Sequence, residues 1–96
     1  MTFKKIRGLK MPYKRQAHIW STCQNYDIQP EDLKTKIIEL CDKVDKIYAK
    51  ELFDIMCSEK SIVEICYDSH ISNFVAYEIR RKFYVLYEKE VLRKSH

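Results

Sequence analysis

Glycine occurs once in the 96 residues, at position 8, and proline twice, at positions 12 and 30, so more than sixty residues after Pro30 run without a backbone breaker. A chain so poor in turn formers has few ways to make the tight reversals a sheet needs, and many ways to stay helical. The expected class is all-α: a small helical domain ending in a helix-turn-helix. At this length one core is expected, over residues 1–96, with no second domain. Twelve per cent aromatic residues argue against a disordered chain.

Apolar spacing places the helices. Ala17, Trp20, Cys23 and Gln24 recur at helical intervals behind Pro12, which suits a first helical turn and predicts a helix from about Pro12 to Asn25. Asp27, Glu31 and Asp32 surround Pro30 and favour the positive end of a second helix there. The stripe Leu33, Ile37, Leu40, Cys41, Val44, Ile47, Tyr48, Leu52, Ile55, Met56 then steps by threes and fours to Cys57. It reads either as one helix of about 27 residues or as two with a break near Asp45 or Lys46. Its near-heptad spacing fits a domain core or a dimer seam.

Ser61 to Tyr87, SIVEICYDSHISNFVAYEIRRKFYVLY, reads as a short helix, a polar break at Asp68 to His70 and a longer helix opening on Ser72. Ser58, or after it Ser61, offers the first cap, with Glu64 as a capping-box partner for Ser61. The whole unit spans about 58–92. A small Cys66 at the crossing, with Ile71 after the turn and Ile79 on the inner face, suits two helices docked at a steep angle. The second helix would then show Ser72, Asn73, Phe74, Tyr77, Glu78 and Arg81 outward. Serine and asparagine can bond to base edges and phosphates, Arg81 to guanine or phosphate, and Phe74 can touch a thymine methyl.

Charge is uneven: residues 1–26 hold six basic residues and no acidic one, 27–68 six against eleven, and 69–96 six against three. Positive ends around an acidic middle favour a polyanionic partner. Arg80 and Lys82, with a mobile basic arm over residues 1–11 carrying Lys4, Lys5, Arg7 and Lys10, would hold the phosphate backbone, the arm entering a minor groove.

The string KSIVEICYDSHISNFVAYEIRRKF resembles sigma-factor region-4-like helix-turn-helix segments, and with YAKELFDIMCSE before it the chain resembles small phage transcription regulators of the ArpU and RinA type. The resemblance covers roughly residues 47–87. It implies a phage or mobile-element DNA-binding regulator of transcription, with double-stranded DNA and host transcription machinery as partners. The sequence departs from the pattern at His70, where glycine is common, at Ser69, and at Ala76. By analogy with such modules a homodimer is expected, with the Leu33 to Met56 stripe or the terminal helix bearing Tyr84, Tyr87 and Val91 as its seam.

Other classes find less support. No glycine-rich phosphate loop, metal-ligand cluster or nucleophile–base pair is visible, so neither an enzyme nor a cofactor is expected. Cys23, Cys41, Cys57 and Cys66 form no close pair, and a zinc site from Cys23 with His18 or His70 would lack the usual ligand spacing; reduced thiols are expected. No apolar run approaches the roughly 20 residues needed to cross a bilayer and the Lys-rich start lacks an apolar segment, so a soluble cytoplasmic protein without membrane contact is expected. The rival function is a non-enzymatic helical adaptor or inhibitor that binds a host protein.

Overall fold

In a computed structural model the described residues are 3–93; Met1 and Thr2 of the expected arm, and the tail from Lys94, lie outside them. The described residues form five α-helices and no strand: α1 (Tyr13–Gln24), α2 (Glu31–Val44), α3 (Ala49–Cys57), α4 (Ile62–Ser69) and α5 (Asn73–Tyr87). A 3-10 turn (Tyr26–Ile28) follows α1, and a π turn (Glu88–Leu92) extends α5. The fold is all-α.

The long apolar stripe divides at Asp45, whose backbone is extended and whose Oδ1 accepts the N–H groups of Ile47 and Tyr48 at 2.9 and 3.0 Å. This side chain offers the backbone a turn in place of the next helical bonds, so α2 stops without glycine or proline. α2 and α3 then fold onto each other. Ile37, Leu40, Cys41, Leu52, Ile55 and Met56 are all buried in the domain's own core. Most of the stripe is therefore core, Leu33, Val44 and Tyr48 are partly buried, and Ile47 at the break is exposed. Of the other proposed seam, Tyr84 and Tyr87 are also buried and Val91 is partly buried; burial raises both phenol pKa values, that of Tyr87 to about 12.

α5 runs through the middle of this core, with Ala76, Ile79, Phe83, Tyr84 and Tyr87 on its buried face. Phe83 is fully buried, and truncating such a ring costs about 3–5 kcal/mol. Ser72 caps α5 by accepting the Val75 N–H at 3.2 Å. α4 is capped by Ser61, which accepts the Glu64 N–H at 3.1 Å. Ser58, the first expected cap, instead closes α3: its hydroxyl donates to the Asp54 carbonyl at 2.6 Å and accepts the Lys60 N–H at 3.2 Å.

Between α4 and α5 the chain turns on His70, the one non-glycine residue with positive φ (57°) among the described residues. The N–H groups of His70 and Ile71 both reach the Cys66 carbonyl, and Ile71 is buried beneath the turn. That pattern closes the helix on the Cys66 carbonyl, at the cost of a left-handed residue carrying a Cβ.

The largest departure from expectation lies at the N-terminus. Residues 3–11 are not a free arm but a strap across the domain, with Ile6, Leu9 and Met11 buried. Gln16 of α1 is 0% exposed and pins the strap at two points: its Oε1 accepts the Ile6 N–H at 2.7 Å and its Nε2 donates to the Met11 carbonyl at 2.9 Å. Gly8, with φ 81°, supplies the bend between these points. Phe3 completes the attachment, its ring lying 5.8 Å from Tyr13, 5.7 Å from Trp20 and 6.4 Å from Tyr84.

Candidate nucleic-acid interface

The outward side of α5 carries the residues expected there. Ser72, Asn73, Phe74 and Tyr77 are exposed, and Phe74 stands 77% in solvent. Positions 74, 77, 78 and 81 share one face at 3.6 residues per turn, which leaves the buried face of α5 free of any exposed duty. Arg81 on that face is paired with Glu78, one turn earlier. The surface thus offers a hydroxyl, an amide, two aromatic rings and one arginine–carboxylate pair, donors and acceptors able to address base edges.

Arg80 and Lys82 part company. Two residues apart on a helix means about 200° around it, so they leave α5 on opposite flanks. Lys82 is exposed, while Arg80 turns toward the strap and stacks on Tyr77 at 5.1 Å. On that flank Lys4, Lys5, Arg7, Lys60, Tyr77 and Arg80 line one groove of about 470 Å³. The first turn of α4 lines it too, with Trp20 and Gln24 of α1, Ile55 and Met56 of α3 and Tyr84 of α5, and its carboxylate is Glu59. Lys10 lines a separate shallow surface with residues 5–9.

Sequence reasoning found Lys4, Lys5, Arg7 and Arg80 but gave no reason for them to meet, and it missed Lys60. The signal for Lys60 was its place just before the Ser61 cap, at the positive end of α4. It also missed Gln16, whose buried amide fixes the strap that carries three of the groove's cations. Arg80 itself is an incomplete group. Burial pulls its pKa down, Tyr84 and Tyr77 act against that shift, and Arg81 adds to it. Its Nε is buried and has no hydrogen-bond partner.

Three cations near the C-terminal turn are differently placed. Arg15 meets Glu88 at 2.7 Å, and Lys36 and Lys43 meet Glu90 at 2.8 and 2.9 Å. These bonds from two lysines hold the Glu90 carboxyl down to about 2, against the smaller opposing effect of desolvation.

Among the described residues no group of three or more His, Cys, Asp or Glu is placed to hold a metal ion. Cys23, Cys41 and Cys66 are buried free thiols. The Cys23 thiol is pushed up first by its bond to Cys57 and then by burial, and burial raises Cys41 to about 12, so neither is a ready nucleophile. No described helix is long and apolar enough to cross a membrane. Comparison with protein-family models, with curated proteins and with solved structures gave no match for this chain.

Proposed function

We propose that the chain is a DNA-binding regulator of transcription, of phage or mobile-element origin as the sequence resemblance implies, in which α4 and α5 act as a helix-turn-helix and α5 reads the major groove of double-stranded DNA. The observation that carries this reading is the division of labour on α5: one face is the core of the domain, and the opposite face is exposed, polar and aromatic, and begins at a capped N-terminus. A recognition helix needs that arrangement, because its N-terminal residues must reach base edges while its back is held rigidly. Unpaired cations beside it supply the attraction to phosphate.

A homodimer would double the few base contacts that one module makes, and most of the two apolar seams is already spent on the domain's own core. A second reading, docking onto another protein, is favoured by one observation: Tyr67 on α4 stands 82% exposed and, with Phe74 and Val63, leaves large apolar groups in solvent near the same helix pair.

Titration of a labelled nonspecific duplex at about 50 and about 200 mM salt separates the two. A surface neutralising several phosphates loses affinity by orders of magnitude over that range, whereas an apolar protein interface responds weakly. With a preferred sequence selected from random duplexes, Asn73→Ala with Arg81→Ala is expected to remove the preference while leaving nonspecific binding largely in place. Full preference in the double variant would refute α5 as the reading element.

A further inference from the structure

Five cations of this domain face one groove: Lys4, Lys5 and Arg7 from the strap, Lys60 from the α3–α4 link and Arg80 from α5. Among the described residues none of the five forms an ion pair, and Glu59 is the single carboxylate of the lining. Like charges crowded without partners repel one another, so their convergence costs stability unless an anion relieves it. Arg80 sharpens the point. Its guanidinium is drawn partly out of water against Tyr77, and its buried Nε–H has no acceptor. A buried donor left unmade is costly, and more so on a charged group. The first turn of α4 adds the positive end of a helix to the same wall.

The strap makes the arrangement a fixed one. Lys5 and Arg7 flank Ile6, which is buried and bonded through its N–H to the buried Gln16, so the backbone carrying the cations is anchored and not searching. This differs from a mobile arm threading a minor groove.

We propose that this groove is a phosphate-binding site for a nucleic-acid strand, anchored by Arg80, which receives the sugar-phosphate backbone along the Tyr77–Arg80 flank of α5. The inference rests on the reading of α5 as a DNA-facing helix and deepens it, because it fixes which side of that helix a backbone must follow. Charge complementarity commits the occupant: five cations against one carboxylate in the lining suit a polyanionic strand, and Arg80 can give a charge-assisted bond to a phosphate oxygen.

Two measurements on the full chain test it. Inorganic pyrophosphate, titrated into isotope-labelled protein and followed by NMR, is expected to shift the amides of residues 4–7, 60–62 and 77–80 most. Larger shifts around Lys82 and Lys89, or small shifts spread over all lysines, would overturn the site. In duplex binding, Lys4→Gln with Lys60→Gln leaves the core untouched and is expected to lower the slope of log affinity against log salt by about 2, weakening all sequences alike. An unchanged slope in a protein that binds duplex would also overturn it. The sequence preference tested through Asn73 and Arg81 is a separate readout. If the wild-type protein bound no duplex at low salt, the major-groove reading would fall and the pyrophosphate map would still decide the groove. Competition by duplex against pyrophosphate then shows whether strand and free anion share the site; binding of pyrophosphate that duplex does not displace would overturn the strand as occupant.

Discussion

Two groups of cations on this small domain have opposite surroundings. On one side Arg15, Lys36, Lys43 and Arg93 close around Glu88 and Glu90 of the π turn, within 2.7 to 3.8 Å. On the other, Lys4, Lys5, Arg7, Lys60 and Arg80 gather with no ion pair among the described residues. The first group ties the C-terminal turn to α1 and α2 and is complete as it stands. The second does no such tying and holds one buried donor with nothing to bond. The same residue types thus serve cohesion at one pole and leave charge on offer at the other, and net charge alone could not tell them apart.

Gln16→Ala is expected to break the comparison most severely. It leaves the Ile6 N–H and the Met11 carbonyl without their partner and opens a space beneath the strap. Lost bonds to buried backbone groups together with the cavity should destabilise the domain by about 2–4 kcal/mol. Protease sensitivity within residues 3–11 and a lower urea midpoint are the readouts. Duplex affinity should fall as well, since the strap carries three of the groove's five cations. An unchanged midpoint would mean that Ile6, Leu9 and Met11 hold the strap without the amide.

How the poles arise was only partly visible in the sequence. Helical periodicity is local, so α1, α2 and α5 could be read from it; the division near Asp45 stayed open, because the apolar stripe continues through it and what stops α2 is an Asp side chain competing for the next N–H groups. The choice between Ser58 and Ser61 was also legible in principle, since Glu64 stands three residues after Ser61 alone and favours the cap the structure uses. The strap was not legible. Its apolar residues follow neither a period of two nor of 3.6, and what fixes them is one glutamine side chain from another element. Basic residues between them suggested mobility, although charged side chains can point outward from a backbone whose neighbours are buried. The reading face of α5 followed from period alone; the groove beside it required knowing where residues 4–7 return.

Neutralising one lysine at each pole sharpens the contrast with a smaller effect. Lys60→Gln should weaken nonspecific duplex binding several-fold at about 100 mM salt and reduce the salt slope by about 1. Lys43→Gln should change duplex affinity less than about twofold, because that ammonium is already bonded to Glu90 and exposed pairs contribute little beyond their own site. Equal losses in the two variants would mean that binding responds to total charge, and the distinction between the poles would lose its functional meaning.

The smallest expected effect is one of acidity, and it is confined to the paired pole. Lys36 and Lys43 hold the Glu90 carboxyl at about 2, below its ordinary value of 4.5. Because the folded state depresses this pKa, the pair contributes stability in full above about 4.5, and the contribution is lost as pH falls through the folded value. Glu90→Gln should therefore lower the urea midpoint slightly at neutral pH and flatten its fall between about pH 4.5 and 2, with the neutral-pH difference shrinking at high salt. A variant that kept the full acid-dependent decline would show that other carboxylates carry it. The groove has no ion-paired carboxylate to protonate, so acid removes restraint from the paired group only.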